Sequence, residues 1–347
     1  MQNRGMVVYM EETVKEKFEQ ISGMIGNTPL LEIVFRYDGE LRRIFAKAEY
    51  YNLSGSIKDR VAFYILKKAY ETGTIRPGDI IAEATSGNTG IAFSAMGSYL
   101  GHPVVIYMPD WMSKERINLM ESYGARVRLV SREQGGFLGS IRLTEELAEQ
   151  GGVFLPKQFS NEDNVQCHDE TTGEEIVQQL AAIGLTADGV VAGVGTGGTV
   201  MGLGKRLRAA NPRCKVHPLE PMNSPTLSTG YKTGVHKIQG ISDEFIPSIV
   251  HLDEIDEIVS VDDIDSIIMA RMLSEKLGIG VGVSSGANFL GSVLAQNMQG
   301  KDSVIVTAFA DDNKKYLSTD YSQPQAMREE YISSHIELVT VKAYRSI

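Results

Sequence analysis

Apolar positions along the chain fall into short unbroken runs separated by stretches in which they recur at helical spacing. The runs Ile44–Tyr50, Ile80–Glu83, Val104–Met108, Val127–Val130, Val153–Phe154, Gly189–Val194, Val216–Glu220, Glu257–Val261 and Val304–Phe309 predict strands. Helical periodicity fills Val61–Tyr70, Ile91–Leu100, Lys114–Tyr123, Gly139–Glu149, Thr171–Ala182, Val200–Ala209 and Asp263–Leu277. Strands alternating with helices predict an α/β protein whose parallel sheets carry helices on both faces. Ahead of this pattern, residues 11–21 predict a short amphipathic helix, followed by the turn at Ile25-Gly26-Asn27-Thr28-Pro29-Leu30 and an extended apolar segment. The C-terminal residues break the alternation: Ser322–Glu329 is polar and Ile336–Tyr344 is strand-like. That tail suits either an edge strand or a dimer-packing arm.

A chain of 347 residues has room for about two domains. The net charge of −10, with no basic stripe to offset it, argues against nucleic acid or an anionic membrane as partner. Cys167 and Cys214 cannot build a disulfide framework, and nothing around them has metal-ligand spacing, so no metal is expected. No apolar run is long enough to span a bilayer, and the acidic, mixed segment Glu11–Gln20 is not a signal peptide. The expectation is a cytoplasmic protein.

Candidate chemistry centres on Asn52-Leu53-Ser54-Gly55-Ser56-Ile57-Lys58-Asp59-Arg60. Here Lys58 stands at a turn into a helix, among small residues that leave room for a ligand. On its own this is an ordinary surface lysine. Three glycine-rich segments change that reading. Thr85-Ser86-Gly87-Asn88-Thr89-Gly90 follows a strand and opens a helix, so free N–H groups and the helix dipole make it an anion site suited to a carboxylate or a phosphate. Gly193-Val194-Gly195-Thr196-Gly197-Gly198-Thr199 has the same strand-to-helix context but lacks the lysine of a P-loop. It fits one phosphate held by neutral donors. Gly282-Val283-Ser284-Ser285-Gly286-Ala287 is a third turn into a helix. Two anion-sized sites and a lysine suggest a cofactor with one phosphate and one aldehyde, and pyridoxal phosphate is such a molecule.

These segments, in this order, resemble the motifs of the cysteine synthase and cystathionine β-synthase family. Ile25–Leu30, Tyr107–Arg116, Gln158-Phe159-Ser160-Asn161, His236–Ile241 and Lys315–Thr319 match as well, so the resemblance runs over roughly residues 20 to 320. It implies a fold-type-II pyridoxal-phosphate enzyme, tryptophan-synthase-β-like. Its two parallel-sheet, three-layer domains would hold the cofactor in the cleft between them, and it would work as a homodimer. The small mobile substrate domain would be 52–154, and the large cofactor domain 1–51 plus 155–347. By the same resemblance Lys58 would form the Schiff base and Asn88 would bond the ring hydroxyl. Gly195, Thr196, Gly197, Gly198 and Thr199 would hold the phosphate, and Thr85, Ser86, Thr89 and Gln158 would bind the substrate carboxylate.

The implied reaction is β-replacement or β-elimination on a serine- or cysteine-like amino acid through an aminoacrylate. Sulfide, a thiol or water would be the small nucleophile. Cysteine synthesis from an activated serine leads. Breakdown of cysteine to serine with release of hydrogen sulfide is the alternative, and a non-catalytic binding protein is the alternative of another class. The chain departs from the family pattern at Leu53 and Ala84, where proline is usual. It departs again at Ser242-Asp243-Glu244, where small residues are usual, and at Asp311-Asp312, where a serine usually meets the pyridine nitrogen. Asp243 is the candidate that orients or deprotonates incoming water. Asp312, with Asp311 as its neighbour, is the candidate that keeps the ring nitrogen protonated.

Overall fold

The structure, a computed structural model, describes residues 13–242 and 244–345. In chain order the elements are α1 (13–22), β1 (Leu30–Tyr37), β2 (Glu40–Ala48), α2 (Lys58–Glu71), β3 (Ile80–Ala84) and α3 (Asn88–Leu100). Next come β4 (Val104–Pro109), α4 (Lys114–Ser122), β5 (Arg126–Val130), α5 (Gly136–Ala148), β6 (Val153–Phe154) and α6 (Asp163–Cys167). A π-helical turn, His168–Gly173, leads into α7 (Glu174–Ala181), followed by β7 (Gly189–Gly193), α8 (Gly198–Ala210), β8 (Lys215–Pro221) and α9 (Thr226–Thr229). The chain closes with β9 (Val259–Val261), α10 (Asp263–Leu277), α11 (Val283–Gln299), β10 (Ile305–Phe309) and β11 (Ile336–Tyr344). The described residues pack into two compact units, one of residues 13–26, 51–54 and 58–157, the other of residues 27–50, 55–57, 158–242 and 244–345.

The first unit holds a four-stranded sheet in the order β5-β4-β3-β6, parallel throughout. Its strands are short because their apolar runs are short, and β3 is buried along nearly its whole length, as parallel strands covered on both faces are. Helix α3 is buried on almost every side, so its Ile91-Ala92-Phe93 and Ala95-Met96 positions need no polar stripe. It stops at Gly101, whose φ of 90° is the left-handed cap that frees the chain to turn back into β4. Helix α1 joins this unit through Phe18, which meets Phe63 and Tyr70 edge-on at 5.4 and 6.0 Å.

The second unit holds a seven-stranded sheet in the order β11-β1-β2-β10-β7-β8-β9. Alternate residues of its strands serve two different cores. Ile44 and Ala46 of β2, Val191 of β7 and Ile305 of β10 pack with α10 and α11, while Phe45, Val190 and Val306 pack with α7 and α8. That is the three-layer arrangement the pattern predicts. The sheet is mixed rather than wholly parallel, because β1 runs against both its neighbours. The cause is local: Asp38 and Gly39, at φ 49° and 82°, form a two-residue hairpin turn that reverses the chain between β1 and β2. The C-terminal tail becomes an edge strand, β11, paired antiparallel with β1 from Leu30↔Tyr344 to Tyr37↔Ile336. Among the described residues no helix is long and apolar enough to cross a membrane.

Candidate active site

In the first unit Lys58 is the first residue of α2 and is half-buried. The turn before it is pinned from inside: Asp59 accepts from the Ser54 backbone N–H at 2.9 Å and from Ser54 Oγ at 2.6 Å. Asn52 Oδ1 accepts from the Gly26 N–H at 2.7 Å, which ties the Ile25–Leu30 motif to the lysine turn. These bonds fix the start of α2, so the lysine projects from an ordered turn.

Helix α2 packs on α3, whose N-terminus is the first glycine segment. Thr85 leaves β3 with its N–H bonded to Tyr107 O at 3.1 Å, and its Oγ1 accepts from the Gly87 N–H at 3.2 Å. Gly87 caps α3 with no side-chain hydrogen bond, so the first-turn N–H groups are not closed off by a capping side chain. Thr85 and Thr89 are buried, Ser86 and Asn88 half-buried. A Cβ on Gly90 would stand 2.7 Å from Thr85 Cγ2 and 3.0 Å from Met120 Sδ, so this turn closes tightly only with glycine there. Beneath it lies Arg116, 2% exposed, with Nη1 donating to Ser86 O at 3.3 Å. Arg116 belongs to the Tyr107–Arg116 motif, yet nothing in the sequence marks it as the support of the Ser86 loop.

In the second unit the loop Gly193–Thr199 crosses from β7 to α8. Gly193 N–H donates to Asn288 Oδ1 at 2.8 Å, and Asn288 Nδ2 donates to Ala308 O at 2.7 Å, so α11 holds the mouths of β7 and β10 together. Gly197, at φ 89°, is the N-cap of α8 and offers no side-chain cap. Asn164 is fully buried, and its Nδ2 donates both to Gln158 O and to Thr196 Oγ1, each at 2.9 Å. It therefore brings Gln158 and the glycine loop together. Behind Thr199, the fully buried ring of His168 bonds Thr199 Oγ1 through Nε2 at 3.3 Å and Thr172 Oγ1 through Nδ1 at 2.9 Å. Asn164 and His168 escape the sequence reading. The only signal is that a helical pattern after Asn161 holds an amide and an imidazole; Asn164 sits in α6, and His168 opens the π-helical turn at 168–173.

The acidic departures separate in space. Asp311 is fully buried and accepts from the Tyr316 hydroxyl at 2.7 Å, while Gly282, the start of the third glycine segment, packs so close that a Cβ would meet Asp311 Oδ1 at 2.1 Å. Asp312 keeps an 18% exposed side chain, accepts from the Lys314 N–H at 3.2 Å and pairs with Lys314 Nζ at 3.4 Å. Asp243 lies outside the described residues, and Glu244 is half-buried. Both cysteines are free and buried, and burial pushes the Cys214 thiol up to about 12, so it is a core residue and no nucleophile.

Each unit thus carries a helix entered from a strand with no side-chain cap at its N-terminus, and the first also carries a lysine at the head of a helix, features that suit a pyridoxal-phosphate enzyme. The family model for pyridoxal-phosphate dependent enzymes matches residues 21–311, and the chain belongs to that family. It is 38% identical over 301 residues to a cysteine synthase of Staphylococcus aureus, covering 87% of this chain and 96% of that one. It is 41% identical over 298 residues to a probable cysteine synthase of Bacillus subtilis, covering 86% and 95%. Among solved structures, a hydrogen sulfide-producing enzyme of Fusobacterium nucleatum is 57% identical and superposes with a TM-score of 0.94 over 96% of this chain and 100% of that one. An aspartate-to-asparagine variant of that enzyme, complexed with an α-aminoacrylate intermediate, superposes with a TM-score of 0.92 over 94% and 99%.

The residues present fit the cofactor. Its phosphate needs neutral donors, and the start of α8 offers backbone N–H groups beside the Thr196 hydroxyl, which accepts from Asn164 Nδ2 and the Gly198 N–H and so keeps its own proton to donate. Its aldehyde needs a primary amine on an ordered turn, and Lys58 is one.

Proposed function

We propose that the chain catalyses β-elimination and β-replacement on cysteine, releasing hydrogen sulfide and forming serine. The observation that carries this reading is the acidic segment at 242–244, which follows directly on residues packed against the glycine loop: a Cβ on Gly195 would stand 2.3 Å from Gly240 O. Carboxylates there favour water over the anionic hydrosulfide as incoming nucleophile. The 57% identity to a hydrogen sulfide-producing enzyme supports the same direction.

Bound pyridoxal phosphate would withdraw electrons from the substrate α-carbon. The protein's own residues then divide the work. The N–H groups and hydroxyls of Gly195, Thr196, Gly197, Gly198 and Thr199 would hold the phosphate, and the Asn88 amide would bond the ring hydroxyl. Thr85, Ser86 and Thr89 at the head of α3, with Gln158, grip the substrate carboxylate. Lys58 would carry the group, and its amine would take the proton from the substrate α-carbon. Cleavage of the Cβ–S bond would release hydrosulfide. Water would then add its oxygen to the β-carbon, its proton passing through Asp243 to the hydrosulfide, and Lys58 would return a proton to the α-carbon. Cysteine and water thus become serine and hydrogen sulfide. Asp312, the partly exposed member of its pair, would keep a proton on the pyridine nitrogen. Residues 52–154 would act as the small substrate domain. Homodimer assembly and a cytoplasmic location complete the reading and rest on family resemblance alone.

The second reading, cysteine synthesis from an activated serine and sulfide, is favoured by the curated relatives. It uses the same residues with sulfide as the nucleophile. One experiment separates the two. Holoenzyme incubated with cysteine alone should yield sulfide and serine in equal amounts, and borohydride reduction should leave a phosphopyridoxyl group on the peptide carrying Lys58. Absence of sulfide, serine and pyruvate, with cysteine formed from O-acetylserine and sulfide, would leave synthesis as the function.

A further inference from the structure

We propose that Ser242 is a positioning residue that decides which nucleophile completes the reaction, an inference that rests on the role given above to Asp243. Ser242 has φ 55°, and the other described non-glycine residues with positive φ are Asn27, Asp38 and Lys157. Asparagine and aspartate tolerate that region, whereas serine seldom enters it. A turn needing this backbone would be served better by glycine, so the side chain is kept for what it bonds.

Those bonds come from every side. Ser242 N–H donates to Val194 O at 2.7 Å, inside the glycine loop. Its hydroxyl donates to Ser224 O at 2.9 Å and lies 3.0 Å from the Thr226 hydroxyl, which can donate to it. Its carbonyl accepts from His236 Nε2 at 3.0 Å, and burial lowers the pKa of that imidazole. The residue is 8% exposed. The turn carrying Thr226 is anchored in its own right. Glu220, 1% exposed at the end of β8, accepts from the Leu227 N–H at 2.8 Å, the Ser228 N–H at 3.2 Å and the Ser228 hydroxyl. On the other flank, a Cβ on Gly193 would stand 2.8 Å from Ile241 Cγ2. A chain of short bonds thus runs from the sheet through Glu220 and Thr226 to Ser242 and on to the glycine loop. The chain continues from this fixed residue into Asp243. Ser242 immediately precedes the acidic pair in the sequence, and its own direction and conformation are both determined, which is the fixed anchor that delivery of a water to a single carbon requires.

The test compares Ser242→Ala, which removes the hydroxyl bonds, with Ser242→Gly, which removes them while suiting the positive φ, and with Thr226→Val, which removes only the partner. Holoenzyme is incubated with cysteine, and sulfide, serine and pyruvate are quantified. When water fails to reach the β-carbon, the three-carbon fragment leaves and hydrolyses to pyruvate and ammonia. The expected result is a serine-to-pyruvate ratio lowered at least about tenfold in Ser242→Ala, with KM for cysteine and cofactor content close to wild type. Thr226→Val and Ser242→Gly should both move the ratio the same way, which separates the loss of the hydroxyl from any backbone strain that alanine adds. An unchanged ratio in both Ser242→Ala and Thr226→Val overturns the proposal, and so does a loss of cofactor with no change in ratio. Wild-type enzyme that releases no sulfide from cysteine overturns the parent reading, and this one with it.

Discussion

Gly195→Ala tests the packing of the glycine loop most directly. An ideal Cβ at this position would stand 2.3 Å from Gly240 O and 3.4 Å from Gly240 C. Ordinary contact between such atoms is near 3.4 Å or more, so one backbone must retreat by roughly 1 Å. Neither can do so freely. The Ser242 N–H to Val194 O bond of 2.7 Å clamps the two strands of chain together one residue away, and Val194 is held in turn by its N–H to Leu219 O at 3.0 Å. Overpacking of this kind costs about 1–3 kcal/mol. If the glycine loop yields, that cost appears as cofactor affinity lowered about 5- to 150-fold. The assay is titration of apoenzyme with pyridoxal phosphate, followed by its absorbance, beside a thermal melt of the apoenzyme. Gly23→Ala is the control, because its Cβ would meet nothing within 4 Å. Cofactor affinity within about twofold of wild type, together with an unchanged melt, would refute the reasoning that this contact sets the shape of the loop.

Two further outcomes follow from buried charge. Lys47 is fully buried, with Nζ donating to Thr28 O at 2.6 Å, Glu175 Oε2 at 2.6 Å and Gln179 Oε1 at 3.0 Å. Lys47→Met leaves Glu175 without that cation and should lower stability by about 3 kcal/mol in urea unfolding, with part recovered by adding Glu175→Gln. Asp263 has its pKa raised to about 6, chiefly by burial, while Oδ2 accepts from the Lys237 N–H at 2.7 Å. A raised carboxyl pKa means stability is full below the unfolded value near 3.8 and is lost as pH rises through about 6. Asp263→Asn keeps an acceptor and removes the charge, so its unfolding free energy should exceed wild type above pH 6 by an amount of order 1 kcal/mol after solvent screening, seen as a higher melting temperature, and the gap should close at acid pH. A gap that widens toward acid pH would contradict that assignment.

The residue order by itself determined a good deal. Alternation of apolar runs with helical periods set the α/β class, because side-chain direction repeats every two residues in a strand and every three to four in a helix. The segments around Thr85 and Gly195 stood out because glycine and small hydroxyls clustered at a strand-to-helix turn expose backbone donors, and Lys58 became a candidate only beside them. The β1–β2 hairpin was legible as well: Asp38-Gly39 between two apolar runs is a strong short-range turn signal, and the purely parallel expectation passed over it. The tertiary structure alone decided the sheet order β11-β1-β2-β10-β7-β8-β9, since Ile336–Tyr344 reads as a strand but its partner lies some three hundred residues earlier. It alone placed Asp311 inside and Asp312 partly outside, and it alone assembled Asn164, His168, Thr226 and Ser242 around the glycine loop. Hydrogen bonds between residues distant in sequence leave no period or spacing behind. They exist only once the helices have packed, and that packing sets how the glycine loop and the acidic segment are held.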